Sequence, residues 1–135
     1  MHYLYFLAFV ALAACGASEP VPQAFAHYIS AQEALAADDF DAARNALQSL
    51  AQHANPTLKT QVQNAASSAD ITAVRVAFRP LSEEMIKGEI PDGYVRAYCP
   101  MADNDTGAHW IQKDQPRLMN PYFGATMLHC GVFED

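Results

Sequence analysis

From Gln23 to Ile86 apolar residues recur three and four positions apart, and after Gly88 that rhythm gives way to alternation and to dense glycine, proline and aromatics. The first rhythm is that of helices packed by one face, the second that of strands and turns. Phe25, Tyr28, Ile29, Gln32 and Leu35 mark one face of a helix over Gln23–Ala37, with alanines filling the gaps. Asp38-Asp39 closes it and can cap a second helix from about Asp41 to His53, whose inward face is Ala43, Leu47, Leu50, Ala51 and Ala54. Asn55-Pro56 ends that helix, because the residue before a proline is pushed out of the helical region. A third helix over Thr57–Ala66 turns Leu58, Val62 and Ala65 or Ala66 inward, and the Ser67–Asp70 group stops it and caps a fourth. The fourth, Ile71–Ile86, carries the clearest stripe: Ile71, Val74, Phe78, Leu81 and Met85. Pro80 removes one of its backbone hydrogen bonds, which predicts a kink near Val76 or Ala77.

Beyond Gly88, Tyr94–Tyr98 reads as a strand, Ala108–Gln112 as a second and Met127–Phe133 as an antiparallel partner. Between them lie a polar turn, Asp103–Gly107, and the tight Asn120-Pro121-Tyr122-Phe123-Gly124 unit. The pattern predicts a mainly α protein, an up-down bundle of about four helices (residues 23–135 in all) with a small C-terminal β cap over about residues 94–133. Tyr98, Trp110, Tyr122 and Phe123 are expected to pack that cap, with Tyr94 beside them.

Composition narrows the partners. The 135 residues are 51% apolar, enough for one core, and the net charge is −7 with no cluster of Lys or Arg, so nucleic acid is not an expected partner. Residues 1–14 stand outside the fold argument: Tyr3–Ala14 is uncharged and apolar, too short to span a bilayer and of signal-peptide length. Met1-His2 lacks the positive charge with which such signals normally begin, but a buried first helix would need the same stretch to have a polar face, which it lacks. Leu12-Ala13-Ala14-Cys15-Gly16 resembles a bacterial lipobox, with Cys15 the lipidated residue and residues 15–22 a proline-containing tether. The resemblance implies an exported periplasmic protein anchored to the membrane through lipid, on the outer membrane by the residue after the cysteine.

Lipidation of Cys15 would leave Cys99 and Cys130 as the remaining thiols, in an oxidising compartment. Each has a methionine close by, in Cys99-Pro100-Met101 and Met127-Leu128-His129-Cys130. Thiolate and thioether sulfurs together select monovalent copper or silver over harder ions. In an extended strand Cys99 and Met101 would face one way; Met127 and Cys130 would do so in a helical turn, whereas a strand would pair Met127 with His129 and turn Cys130 away. His109, beside Trp110, is a further candidate ligand. The alternative is a structural module in which a Cys99–Cys130 disulfide closes a loop of about thirty residues, worth roughly 3 to 4 kcal/mol in the loop-entropy model. The chain has no phosphate-binding glycine loop, nucleophile elbow or Cys-x-x-Cys pair, so no enzyme is expected.

With these motifs in view, the chain resembles a bacterial family of uncharacterised exported domains. That family occurs as lipoproteins or fused to periplasmic adaptors of heavy-metal efflux pumps of the resistance-nodulation-division type. The resemblance rests on Ala77-Phe78, Leu81-Ser82, Tyr98-Cys99-Pro100-Met101-Ala102, Gly107-Ala108 with Trp110, Asn120–Gly124, and Met127-Leu128 with Cys130-Gly131. It implies a role in copper or silver handling alongside an efflux adaptor or pump, with Cys99, Met101, Met127 and Cys130 as ligands and His109 at a less defined position. It implies no enzymatic activity.

Overall fold

The computed structural model describes residues 20–135. Four helices, α1 (Gln23–Ala36), α2 (Phe40–His53), α3 (Pro56–Ala66) and α4 (Ile71–Met85), precede a three-stranded antiparallel sheet of β1 (Tyr94–Cys99), β2 (Ala108–Lys113) and β3 (Val132–Glu134) in the order β2-β1-β3. The mainly helical architecture with a small C-terminal sheet is the one the periodicity predicts. The predicted signal peptide, residues 1–14, the lipidation site Cys15 and the start of the tether lie outside the described residues. No helix among the described residues is long and apolar enough to cross a membrane.

Helices α2, α3 and α4 each start where a short polar side chain satisfies a free N–H group, whereas α1 follows Pro22 and has no side-chain cap. The Asp39 carboxylate accepts from the Ala42 N–H at 2.9 Å, the Asn55 side chain from Leu58 at 3.0 Å and the Asp70 carboxylate from Ala73 at 2.8 Å. Successive helices pack on one another, and α1 returns to α4 through Tyr28, whose ring stacks on Phe78 at 5.3 Å and whose hydroxyl hydrogen-bonds to Ser82. The stripes named above meet in the core: Phe25, Tyr28, Ile29, Leu35, Ala43, Leu47, Leu50, Leu58, Val62, Val74, Phe78 and Leu81 are all buried. Helix α4 runs unbroken through Pro80. Val76 and Pro80 are both exposed, so the side of the helix that loses a bond faces water.

The sheet presents the outer edge of β2 to the helices. The Ile111 N–H donates to the Tyr28 hydroxyl at 3.0 Å, the His109 N–H to the Glu83 carboxylate at 2.9 Å, and the His109 carbonyl accepts from the Tyr122 hydroxyl. Helices α1 and α4 thereby supply partners that an edge strand lacks. Burial holds the Tyr28 and Tyr122 hydroxyls well above the ordinary phenol range, so both stay protonated donors.

One predicted strand is shorter in the structure, and the predicted polar turn follows a left-handed path. Only Val132–Glu134 of the predicted Met127–Phe133 strand pairs with β1, and residues 127–130 form a turn closed by Cys130 N–H to the Met127 carbonyl at 3.0 Å. The polar segment after β1 winds through Asp103, Asn104 and Asp105 with φ of 53°, 52° and 61°. Left-handed conformations are tolerated best by Asn, Asp and Gly, which is the composition found there.

Candidate functional site

Strand β1 ends at Cys99, and the chain turns at once through Pro100 and Met101. Across the β1–β2 register Cys99 lies opposite Ala108 and Tyr98 opposite His109. Cys99 therefore shares a face with Ala97, Ala108 and Trp110, all of them fully buried, while Tyr98 and His109 share the other. The segment Asp114–Gly131 carries Cys130 back to that face.

Asn120, itself fully buried, holds this return. Its side-chain carbonyl accepts from the N–H groups of Tyr122 and Phe123 at 2.8 and 3.3 Å, and its amide donates to the Cys130 carbonyl at 3.0 Å. Its own backbone N–H reaches the Leu128 carbonyl at 2.8 Å. Gln112 works similarly from β2: its side-chain oxygen accepts from Trp110 Nε1 at 2.9 Å and Met119 N–H at 2.8 Å, and its amide donates to the Arg117 carbonyl. Gly131 then crosses β1 with φ 126°, where a Cβ would lie 2.5 Å from the Tyr98 carbonyl oxygen. Only glycine passes so close, and this approach seats Cys130 next to Cys99.

The two sulfurs, 31 residues apart in sequence, are 3.1 Å apart. Both are thiols in this structure. Cys99 is fully buried and Cys130 half-buried. Contact with Cys99, followed by burial, pushes the Cys130 thiol up from its ordinary value.

The other predicted ligands are placed as follows. Met101 sits in the turn after β1 with helical backbone angles and is 47% exposed; it lines an open groove of about 420 Å³ with Thr72, Arg75, Val76 and Phe123. The strand alternation that would aim it with Cys99 stops at Cys99, two residues before Met101. Met127 is half-buried in the same turn as Cys130 and receives that residue's N–H. His109 is on the face of the sheet opposite Cys99 and is held between carboxylates: Nδ1 is 3.1 Å from Glu83 and Nε2 is 3.2 Å from Glu134, with the Tyr98 ring at 4.6 Å. His129 is exposed and its Nδ1 is 2.7 Å from the Leu118 carbonyl oxygen. Among the described residues no group of three or more His, Cys, Asp or Glu is arranged to hold a metal ion.

Of the expected cap residues, Trp110 and Tyr122 are buried with ring centroids 6.2 Å apart, and Phe123 packs beside them. Tyr94 instead meets Phe25 of α1, at 4.9 Å. Asn120, Gln112 and Glu83 were not visible as site-building residues in the sequence. The Asn-Pro pair marked a turn, but nothing in the pattern of residues tells which carbonyl a buried amide will reach.

The described residues thus form a four-helix domain bearing a small sheet with a paired dithiol. Residues 24–88 match the family model described as a protein of unknown function, DUF3347. That segment spans nearly all of the four helices and ends before β1, so the thiol pair and the C-terminal motifs lie outside it. No curated protein and no solved structure matches the chain.

Proposed function

We propose that the reduced Cys99–Cys130 pair takes up a soft monovalent cation, copper(I) or silver(I), in an exported lipid-anchored protein that buffers the ion or passes it to a heavy-metal efflux system. The observation that carries this reading is the 3.1 Å approach of two thiols from distant parts of the chain. Two thiolates suit a soft ion that accepts few ligands, whereas a structural zinc site needs four. Met127, in the same turn as Cys130, is the candidate for a third sulfur, whereas Met101 lines a groove shared with α4. The aromatic packing of Trp110 and Tyr122 would keep water from the buried side. Because binding displaces thiol protons, and that of Cys130 is held tightly, uptake should strengthen as pH rises.

Anaerobic native mass spectrometry of the reduced protein with copper(I) tests this. One ion should be retained, lost in Cys99→Ser and in Cys130→Ser, weakened in Met127→Leu and unchanged in Met101→Leu. Failure of the reduced wild-type protein to retain copper overturns the reading.

The same contact supports a second reading, a disulfide that staples the cap to the end of the chain. The sulfurs are already inside van der Waals contact, and Cys99 is shielded from reductant. A pair isolated fully blocked and resistant to mild reductant would favour the staple.

A further inference from the structure

The two thiols are unequal in access. Cys99 is fully buried in the face formed with Ala97, Ala108 and Trp110, whereas Cys130 is half-buried at the end of a surface turn. An external disulfide must be approached in line by the attacking sulfur, and of the two residues only Cys130 is partly exposed. The Cys99 sulfur lies 3.1 Å from Cys130 Sγ, the atom it would attack once a group is attached there. That is the separation of a near-attack arrangement.

We propose that Cys130 is the attacking thiol of a disulfide-exchange site and that Cys99 is its resolving thiol, so that the pair is closed in a fixed order by a disulfide of the RS–SR class. In the first step the Cys130 thiolate attacks one sulfur of RS–SR, forming a Cys130–SR mixed disulfide and releasing RS⁻, which takes up the proton Cys130 gave up. In the second, the Cys99 thiolate attacks Cys130 Sγ, the S–SR bond breaks, and the second RS⁻ leaves with the Cys99 proton. The two cysteines are oxidised to one disulfide and RS–SR is reduced to two thiols. This inference rests on the thiol-pair reading above and adds to it an order and a means of switching the pair out of its metal-binding form.

The test uses the reduced full-length chain in a Cys15→Ser background, with chelator present, and oxidised glutathione as the probe. Intact mass and peptide mapping after acid quench follow the products. The wild-type pair should lose two hydrogens by way of a transient glutathione adduct mapping to Cys130. Cys99→Ser should accumulate one stable adduct, and Cys130→Ser should react at least tenfold more slowly. A transient adduct mapping to Cys99, or equal rates in the two variants, overturns the proposal; so does a wild-type mixed disulfide that never closes. The transient adduct is read on the wild-type sequence of the pair, so a variant that fails to fold does not decide the outcome. Exchange absent while copper is retained would overturn this proposal alone, and ordered exchange without copper retention would overturn the metal reading alone.

Discussion

Asn120 is the residue on which the geometry of the thiol pair depends most directly. One buried amide ties the Tyr122 and Phe123 N–H groups and the Cys130 carbonyl into one turn. Asn120→Ala would leave three backbone groups without their partner in a region with little access to water, at a cost of about 2 to 4 kcal/mol when each is only partly compensated. Urea denaturation of the reduced protein measures this. A loss under about 1 kcal/mol for the alanine variant would show that the turn is held by packing rather than by this network. The pairing of His109 with Glu83 and Glu134 belongs to the same scale. A histidine beside a tryptophan looks like a ligand in sequence, but its register partner is Tyr98 and not Cys99. One residue of strand alternation separates the two outcomes.

At the scale of elements, helix α4 and strand β2 are the informative pair. Pro80 lies in the interior of α4, yet the helix continues, because the carbonyl left without a donor is on the side where Val76 and Pro80 meet water. Pro80→Ala restores the bond at an exposed site and should stabilise the protein by roughly 1 to 3 kcal/mol in urea or thermal denaturation. No gain would mean that the proline is relieving strain elsewhere in α4. The junction of helices and sheet depends on Tyr28, whose hydroxyl meets both Ser82 of α4 and the Ile111 N–H of β2. Tyr28→Phe keeps the ring stacked on Phe78 and strips only that oxygen, so the expected loss is about 1 to 3 kcal/mol from a buried donor left unpaired. Hydrogen exchange at Ile111 should quicken by more than at Ala97 in the middle strand, and equal effects at both would argue against an edge-specific role.

Across the whole molecule, Arg75 joins parts that are remote in sequence. Its guanidinium donates to the Leu35 carbonyl at the end of α1, to the Pro121 carbonyl in the Asn120 turn and to the Asp38 carboxylate. Asp38 in turn accepts from the Ala125 N–H at 3.0 Å. The hydrogen bond from Arg75 is the main cause, followed by that from Ala125, of an Asp38 carboxyl held below its ordinary value. A carboxyl depressed in the folded state adds stability above its unfolded pKa and loses it as pH falls through the folded one. The thermal midpoint of the wild-type protein should therefore decline on acidification below the ordinary aspartate range more steeply than that of Asp38→Asn. Asparagine suits the φ of 58° at this position, so the substitution tests charge rather than backbone strain. Parallel acid limbs in the two proteins would remove Asp38 from the account.

The helices were legible because their information is local: Val74, Phe78 and Leu81 state their common face by spacing alone, and Asp39 and Asp70 state where two of the helices begin. The strands at Tyr94 and Ala108 were legible for the same reason, through alternation. Residues 127–130 were not, since Met127-Leu128-His129-Cys130 fits a strand or a helical turn equally and takes neither form. Their shape is set by Asn120 and by the close crossing of Gly131 over β1, both of which are contacts between distant residues. The sequence by itself thus determined the class of fold and singled out the sulfur-bearing residues as the chemistry worth locating. Only the tertiary structure decided which sulfurs meet, bringing Cys130 to Cys99 and leaving Met101 in an open groove, because that depends on strand register and on buried hydrogen bonds that no periodicity encodes.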